Sequence, residues 1–396
     1  MTDRKGHAAP PSVALPDQSA HGGEVYRVAR ELGVAPEDIL DCGSNGFAHA
    51  VDLTRALVEA QPHPFEHYPD PDSTALRQRL AAHEGVSPGQ LLVGNGSSEL
   101  IWLALRVLRP TRVTLLGPTF SEYVRACETH AIPWRVLHGD PARALDAPPP
   151  GSAPAPGEGG RELAVLCSPG NPCALSAPDL PALVGALARQ GYGTVLADLT
   201  YRDFLWETPP HAGHYWTALT RECPASAASA ATVVLGLHSF TKFFHCTGIR
   251  LGYLAGPAPL LRALHAARPP WMVGPHAEIM GQRFIDALPA YRKRLPLLRA
   301  DRAALLRTAR ATGLFDPHAM LEGPSFLTCR IHPDLLARGV TAGALRAELL
   351  RHRVLTRACD NIPGMPPGYL RMQVRPAPDH TRQATALGDA ARALRA

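Results

Sequence analysis

The sequence predicts an α/β fold, with a large domain built on a mostly parallel sheet and a smaller α+β domain towards the C-terminus. Short apolar segments alternate with helical patterns through the middle of the chain, which is typical of a parallel sheet covered by helices on both faces. From about residue 275 the pattern changes to long helices rich in arginine, leucine and alanine, followed by a hairpin-like region. We therefore expect an N-terminal arm over residues 1–45 (the first 18 or so disordered), a large domain over 46–275 and a small domain over 276–396.

The elements of this fold can be placed in chain order. The candidate strands are residues 91–93, 112–116, 163–167, 193–197, 232–237 and 251–255. The helical patterns between them cover residues 98–108, 120–130 and 177–190, and the hairpin-like region comprises 325–331 and 369–374. The Pro- and Gly-rich residues 140–162 cannot form a helix or a sheet ladder, so we expect a mobile surface loop there.

The composition excludes several classes of protein. Of the 396 residues, 45% are hydrophobic and 19% are charged, as in a globular protein. No apolar run reaches the length of a bilayer span, and the polar N-terminus lacks the apolar segment of a secretory signal. The net charge of +5 comes from dispersed arginines, which favours anionic small ligands over nucleic acid. The eight cysteines form no C-x-x-C pair, so we expect a reduced, cytoplasmic protein without a metal site.

Lysine is almost absent from this chain. Lys5, Lys242 and Lys293 are the only lysines among 40 Lys+Arg, which leaves 37 arginines. Lys242 follows the apolar residues 233–237 and lies between aromatic side chains, where loss of solvation lowers the pKa of an amine. A neutral amine is nucleophilic and can form a Schiff base with a carbonyl cofactor. Alternatively, the Lys242 side chain extends to the surface and keeps its charged ammonium group in water.

Two segments carry groups suited to a phosphate. Residues 94–99 (Gly-Asn-Gly-Ser-Ser-Glu) form a Gly-rich turn that opens an apolar helix, and a helix N-terminus binds phosphate through its free N–H groups. Serine there can equally be a simple helix cap, and no Gly-Lys-Ser/Thr follows that would make a P-loop. Beside Lys242, the hydroxyls of Ser239 and Thr241 and the guanidinium of Arg250 would complete the cradle.

Three further side chains follow candidate strands. Phe120 can stack on a pyridine ring, although a core aromatic is the common alternative. Asn171, in the segment Ser-Pro-Gly-Asn-Pro, can donate to a phenolate oxygen or serve only as an Asn-Pro turn. Asp198 ends a buried strand, where a carboxylate is costly unless it is paired. A pyridinium N–H would pair with it and keep the ring an electron sink, whereas a helix cap or a buried salt bridge is the alternative.

All five segments lie just past the carboxyl end of a candidate strand, where ligands bind in α/β folds. In this order they resemble the fold-type I pyridoxal-phosphate enzymes, which share the aspartate-aminotransferase-like fold. Within these, the chain is most similar to the branch of threonine-phosphate decarboxylases and histidinol-phosphate aminotransferases, from His21 onward. The segments that match the decarboxylases are residues 20–23, 40–45, 68–70, 94–96, 270–271, 357–364 and 369–371.

The resemblance implies roles for the motif residues, with pyridoxal 5'-phosphate as the cofactor. Lys242 forms the Schiff base, Asp198 pairs with the pyridinium nitrogen, and Tyr201 joins them as the third catalytic residue. The implied cofactor-binding residues are Gly96, Ser97, Ser98, Phe120, Asn171, Asp198, Tyr201, Ser239, Thr241, Lys242 and Arg250. The implied substrate-binding residues are His21, Asn45, Arg357 and Arg371, with His21 on an arm that crosses to the partner of a homodimer.

Arg357 and Arg371 lie at the two ends of a turn-rich segment containing three prolines and two glycines. Such a segment can bring its ends together, so that both guanidiniums converge on one substrate anion. Two surface arginines are the alternative in so arginine-rich a chain. Because neither residue is placed on the cofactor, we expect their replacement to leave the cofactor absorbance unchanged.

The chain departs from the family pattern on the substrate side. Residues 198–201 are Asp-Leu-Thr-Tyr where the family has Asp-Glu-Ala-Tyr/Phe, and residues 171–174 are Asn-Pro-Cys-Ala where it has Asn-Pro-Thr-Gly. His245 and Cys246 stand where the family has Ala-Ile, either as new active-site groups or through repacking of a strained loop. The cofactor anchors are kept, so these changes bear on the substrate and the reaction.

The resemblance implies a decarboxylating lyase acting at Cα of an amino-acid substrate with a second anionic or polar group, similar to threonine-phosphate decarboxylase. One alternative is an aminotransferase of the histidinol-phosphate type. Another is an enzyme of antibiotic tailoring that β-eliminates or oxidatively deaminates an aminoacyl group, for example cysteinyl, of a natural product such as a lincosamide. A ligand sensor on the same fold is disfavoured, because no helix-turn-helix extension is present and Lys242 is retained.

Overall fold

A computed structural model describes residues 23–61, 66–146, 161–205, 219 and 232–395 of the protein. Its strands are β1 (Leu40–Asp41), β2 (Leu91–Gly94), β3 (Val113–Leu116), β4 (Trp134–Val136), β5 (Leu163–Cys167), β6 (Thr194–Asp198), β7 (Val233–Ser239), β8 (Gly252–Ala255), β9 (Phe315–Glu322), β10 (Phe326–Ile331), β11 (Val354–Leu355), β12 (Arg357–Ala358) and β13 (Tyr369–Gln373).

The α-helices are α1 (Val25–Leu32), α2 (Val51–Glu59), α3 (Thr74–Glu84), α4 (Gly96–Leu108), α5 (Glu122–Thr129), α6 (Leu180–Arg189), α7 (Phe240–Phe243), α8 (Ala258–Ala266), α9 (Pro275–Arg292), α10 (Leu295–Thr312), α11 (Pro333–Ala337), α12 (Ala342–Arg351) and α13 (Asp379–Arg395). Short 3-10 helices cover Pro36–Asp38, Ala48–Ala50, Pro88–Gln90, Pro141–Arg143 and Arg202–Leu205. In the described part of the chain, none of these helices is both long and apolar enough to cross a lipid bilayer.

The central sheet has seven strands in the order β2-β8-β7-β6-β5-β3-β4. The strands from β4 to β7 pair in parallel, whereas β8 runs antiparallel to both of its neighbours, β7 and β2. The predicted mostly parallel sheet is confirmed, and each predicted strand is present with ends that differ by at most two residues. The sequence analysis missed β4, because the half-buried Trp-Arg-Val of this edge strand lacks a continuous apolar pattern.

A second, antiparallel sheet has the order β12-β13-β10-β9. The pairing of β10 with β13 confirms the predicted hairpin-like region, with Phe326 opposite Gln373. Strand β9 was not predicted, because most of its residues are exposed or half-buried and give no alternation. A short parallel pair, β1 with β11, connects the N-terminal part of the chain to this region.

Two helices start at residues other than those predicted, and one of these starts is set by a side-chain cap. Helix α6 begins at Leu180, three residues later than the pattern indicated, because the Asp179 side chain accepts a hydrogen bond from the backbone N–H of Ala182. Helix α4 begins at Gly96, two residues earlier than predicted. Of the expected loop over residues 140–162, residues 147–160 lie outside the described residues, and Pro141–Arg143 form a 3-10 turn.

Both faces of the central sheet are buried. Alternate residues of β5 belong to two different apolar clusters, with Ala164 and Leu166 in one and Leu163 and Val165 in the other. The first cluster continues into the antiparallel sheet through residues such as Phe326. The carboxyl ends of β3, β5, β6 and β7 consequently meet at one edge, between the central sheet and the antiparallel sheet.

Candidate active site

A cleft of about 560 Å³ opens at this edge. The predicted site residues that line it are Asn45, Ser97, Ser98, Phe120, Asn171, Asp198, Tyr201, Thr241, Lys242, Arg250, Arg357 and Arg371. Gly96 and Ser239 are behind this lining, against Arg250 and Thr241 respectively. His21 lies outside the described residues. The structure therefore brings the predicted side chains from distant segments into one place.

Lys242 lies in the short helix α7, directly after the carboxyl end of β7. The Ser239 hydroxyl caps this helix by accepting a hydrogen bond from the N–H of Thr241 at 3.3 Å. Burial is the largest cause that lowers the pKa of the Lys242 amine, and the charges of Arg371 and Arg250 lower it further, to about 8. A substantial fraction of the amine is consequently neutral near physiological pH.

One end of the cleft has the features of a phosphate site. Gly96 has a φ of +76°, and a Cβ atom there would lie 2.5 Å from a terminal nitrogen of Arg250. A Cβ on Gly252 would lie 3.0 Å from the backbone nitrogen of Ser97. Both glycines thus allow the guanidinium and the N-terminus of α4 to approach each other closely. A helix N-terminus, a guanidinium and the Thr241 hydroxyl together favour a dianionic group.

Asp198 is the last residue of β6 and only 6% exposed. Its Oδ1 accepts a hydrogen bond from the N–H of Thr200 and its Oδ2 accepts one from the Tyr123 hydroxyl, each at 3.0 Å. Burial raises the pKa of the carboxyl group, while the hydrogen bonds oppose the rise. Because both donors are uncharged, a protonated ring nitrogen would be a favourable partner for this carboxylate.

A hydrogen-bond network lines the opposite part of the site. The Asn45 amide donates to the Tyr201 hydroxyl at 3.2 Å, and Arg371 donates to Asn171 Oδ1 and to the Gly43 carbonyl oxygen, the latter at 2.8 Å. With Oδ1 occupied, the amide nitrogen of Asn171 remains a donor. Burial raises the pKa of Tyr201 to about 12, so its phenol is a neutral donor.

Two atoms of this network carry unused hydrogen-bonding capacity. Among the described residues, Asn45 Oδ1 and Arg371 Nε are buried without a hydrogen-bond partner. Both residues line the cleft, and unpaired buried polar atoms are costly. An acceptor and a donor are therefore available to a polar ligand.

The two ends of the turn-rich segment do meet. Arg357 in β12 and Arg371 in β13 are direct cross-strand partners, and both line the cleft. The Arg357 guanidinium donates to the Ala358 carbonyl oxygen and to Asn361 Oδ1, both at 2.7 Å. Burial and the charge of Arg371 lower the pKa of Arg357. Two neighbouring guanidiniums favour the binding of an anion between them.

Comparison with known proteins identifies the family. Residues 38–382 match the family described as aminotransferase class I and II. The chain belongs to this family. It is 29% identical over 380 residues to the threonine-phosphate decarboxylase of Salmonella typhimurium, covering 93% of this chain and 96% of that protein. It is 30% identical over 366 residues to a histidinol-phosphate aminotransferase of Symbiobacterium thermophilum, covering 89% and 90%.

Solved structures share the fold of this aminotransferase-family enzyme. The histidinol-phosphate aminotransferase of Sinorhizobium meliloti, in complex with pyridoxal-5'-phosphate, has a TM-score of 0.73 at 19% identity, covering 98% of this chain and 99% of that one. The L-threonine-O-3-phosphate decarboxylase of Porphyromonas gingivalis has a TM-score of 0.67 at 19% identity, covering 87% and 95%. The fold and the pyridoxal 5'-phosphate cofactor expected from the sequence are confirmed.

The site of this aminotransferase-family enzyme also contains residues that the sequence analysis did not select. Tyr123 contacts Asp198, and Thr119 contacts Cys167 with 2.7 Å between Oγ1 and Sγ. Thr119 and Cys167 line the cleft, as does Arg125. Thr119 follows a predicted strand and Cys167 ends one, whereas Tyr123 and Arg125 lie in the predicted helix of residues 120–130. These positions were the only signals in the sequence.

Two expectations about this aminotransferase-family enzyme need comment. His245 and Cys246 are outside the cleft lining: a Cβ on Gly46 would lie 2.2 Å from His245 Nδ1, and the Cys246 thiol donates to the Phe240 carbonyl oxygen at 3.4 Å. This geometry matches repacking of the loop. That replacement of Arg371 leaves the cofactor absorbance unchanged stays a prediction, although its guanidinium donates to Asn171, a candidate cofactor-binding residue.

Proposed function

We propose that this pyridoxal-phosphate enzyme is a decarboxylating lyase that acts at Cα of an amino-acid substrate carrying a second anionic group. The observation that carries the proposal is the cross-strand pair of Arg357 and Arg371 in the cleft that also holds Lys242 and Asp198. The likeness to the Salmonella typhimurium threonine-phosphate decarboxylase over most of both chains supports it.

The cofactor would be held by residues that already converge in the cleft. The proposed cofactor-binding residues are Gly96, Ser97, Ser98, Phe120, Asn171, Asp198, Tyr201, Ser239, Thr241, Lys242 and Arg250. When bound, pyridoxal 5'-phosphate supplies an electron-withdrawing ring that stabilises the electron pair left at Cα. The protein supplies the orientation: Asp198 holds the ring nitrogen, while Asn171 and Tyr201 donate to the phenolate oxygen.

The arginine pair decides which bond at Cα is broken. If Arg357, Arg371, Asn45 and His21 bind a remote anion such as a phosphate, none of them holds the α-carboxylate. The bond between Cα and the carboxylate would then break with loss of CO2, and the Lys242 ammonium would donate a proton to Cα in its place.

An aminotransferase of the histidinol-phosphate type is the second candidate. Several relatives carry that name, including the one from Symbiobacterium thermophilum. In this case the arginines would bind the α-carboxylate, so that the Cα proton and not the carboxylate would be lost. Lys242 would then remove that proton instead of returning one to the site of decarboxylation.

The assembly and setting belong to the same proposal. We propose a cytoplasmic homodimer, in which an arm over residues 1–45 brings His21 to the partner's cleft, with a large domain over 46–275 and a small domain over 276–396. A threonine-phosphate substrate would place the enzyme in cobalamin biosynthesis. An aminoacyl natural product as substrate would place it in antibiotic biosynthesis instead.

The first test concerns the attachment of the cofactor. Borohydride reduction of the pyridoxal-phosphate-loaded protein should add the phosphopyridoxyl mass to the peptide containing Lys242, as read by peptide mass spectrometry. Lys5 and Lys293 are internal controls in the same sample. Labelling of either control in place of Lys242 contradicts the assignment.

The second test separates the two reactions. The enzyme is incubated with L-threonine O-3-phosphate while CO2 is measured, and with histidinol phosphate and 2-oxoglutarate while glutamate is measured. CO2 release in step with substrate loss supports the lyase, and glutamate without CO2 supports the aminotransferase.

Arg357→Ala should weaken substrate binding by about tenfold, since a charged hydrogen bond contributes about 1.5–3 kcal/mol. The matched surface variant Arg338→Ala should not.

A further inference from the structure

Tyr123 is a buried side chain that none of the roles above uses. It lies in α5 with 0% of its surface exposed, and its hydroxyl is 3.0 Å from Asp198 Oδ2. Burial and the nearby Asp198 charge raise its pKa well above the ordinary value, so the phenol keeps its proton and donates it. A tyrosine packed only for its ring would not need this partner.

The hydrogen bonds around Asp198 show what the phenol of Tyr123 contributes. Thr200 N–H fixes Oδ1 from the following turn, and the Cys167 thiol approaches from β5, where it is also 2.7 Å from Thr119. Tyr123 alone binds Oδ2 from the helix side among the hydrogen bonds that the described residues form. Donors on both oxygens, together with the Thr200 side chain and the Cys167 thiol, fix the plane of the carboxylate. Because a carboxylate has about four acceptor sites, it can still accept a hydrogen bond from the ring nitrogen.

The aromatic residue proposed to stack on the cofactor, Phe120, lies just before α5. The ring of Phe120 precedes the helix and is perpendicular to that of Tyr123, with 6.5 Å between centroids. Phe120 lines the cleft, whereas Tyr123 lies behind it. Residues 120–123 thus position two groups that would contact one cofactor. These are the ring of Phe120, which would stack on it, and the carboxylate of Asp198, which Tyr123 holds.

We propose that Tyr123 is a positioning residue that acts through Asp198, holding its carboxylate ionised and oriented so that the proton stays on the cofactor's ring nitrogen. The inference rests on the proposed role of Asp198. Loss of the phenol donor makes the carboxylate a stronger base, because a hydrogen bond to the charged form favours that form. Asp198 then takes the proton, and the ring becomes a weaker electron sink.

The experiment compares Tyr123→Phe with the wild type by two measurements on purified protein. Dissociation constants are measured for pyridoxal 5'-phosphate and for its 1-deaza analogue, in which carbon replaces the ring nitrogen. The ¹⁵N chemical shift of ring-labelled cofactor reports directly whether the nitrogen is protonated. The matched control is Tyr192→Phe, another buried tyrosine, whose hydroxyl accepts from Arg135 at 3.4 Å.

Tyr123→Phe should bind pyridoxal 5'-phosphate about tenfold more weakly, which corresponds to about 1.4 kcal/mol. Its affinity for the 1-deaza analogue should change less than twofold, and the ¹⁵N shift should move towards the unprotonated nitrogen. Tyr192→Phe should change none of these values. Equal losses for both ligands would mean that Tyr123 only supports the fold, and unchanged values would also overturn the inference.

If the Tyr123→Phe protein does not fold, a second variant tests the inference. Site-specific 4-aminophenylalanine at position 123 keeps the shape of the side chain and replaces the phenol with a weaker donor. The ¹⁵N shift should then move towards the unprotonated nitrogen, and no movement refutes the inference. Failure of the wild type to attach the cofactor at Lys242 would instead refute the proposed function, so the two failures are distinguishable.

Discussion

Replacing Arg371 with methionine should make the Lys242 amine more basic. Arg371 is 6% exposed and is the second largest cause, after burial, of the lowered pKa of Lys242. The fall of that pKa from 10.5 to about 8 corresponds to a few kcal/mol of preference for the neutral amine. Burial persists in the variant, so only part of this preference disappears. We expect a rise of about one pKa unit, or about 1.4 kcal/mol.

The scarcity of lysine makes this measurement direct. The cofactor-free protein is treated briefly with acetic anhydride at several pH values, and the labelled peptides are quantified by mass spectrometry. At about pH 7.5 the neutral fraction of Lys242 should fall from about 24% to about 3%, which slows labelling about eightfold. Lys5 and Lys293 provide rates for ordinary lysines in the same sample.

Arg357→Met is the matched control for this experiment. Its guanidinium bonds to the Ala358 carbonyl oxygen and to Asn361, and its charge is not among the main causes of the Lys242 pKa. We expect the Lys242 labelling rate to stay at the wild-type value. Equal rates in Arg371→Met and the wild type would refute the electrostatic argument. A wild-type Lys242 that titrates near 10.5 would refute the burial argument as well.

Two further predictions concern the phosphate end and the buried histidine. Gly96→Ala should weaken binding of pyridoxal 5'-phosphate by about tenfold in equilibrium titrations, because the new Cβ displaces Arg250. The control Gly339→Ala, at a φ of +83° with no neighbouring atom within 4 Å of the new Cβ, should not weaken it. His238, stacked on Tyr253 at 4.4 Å, has its pKa lowered to about 3, mainly by burial. The unfolded chain therefore binds a proton that the folded chain does not, and the free energy of unfolding falls as the pH drops below about 6.5, by about 2 kcal/mol at pH 5. His238→Phe should reduce the loss of stability between pH 7 and pH 5 by about that amount in urea titrations, while His245, whose pKa burial lowers to about 4, keeps its own share.

The parts of this molecule that could be predicted from sequence are those that depend on local pattern. Strand β5 is continuously apolar because both of its faces are covered, and Asp198 is conspicuous because it ends such a strand. Lys242 could be selected because so few lysines exist. The first two signals are contained within about ten residues of the chain, and the third is a count over the whole sequence.

Contacts between distant residues gave no such signal. Tyr123 is 75 residues from Asp198, and Arg371 is 200 residues from Asn171. A pattern within α5 shows that Tyr123 is on an apolar face, but the partner of its hydroxyl depends on how the helix packs beside β6. For the same reason the contact of Arg371 with Asn171 could not be predicted, since only the assembled sheets place its guanidinium against that side chain.

Arg371 contacts Asn171 and is paired with Arg357, so binding of a substrate anion there would also affect the charge of Lys242. In the free enzyme the Arg371 charge lowers the pKa of Lys242, which favours the neutral amine that attacks a carbonyl. A substrate anion bound between Arg357 and Arg371 offsets that charge, so the amine regains proton affinity when the substrate is in place. Proton transfer at Cα requires a group that can hold a proton at that moment. If the anion binds as proposed, buried Arg371 and half-buried Arg357 couple its recognition to the readiness of Lys242 for proton transfer, which two isolated surface arginines would not do.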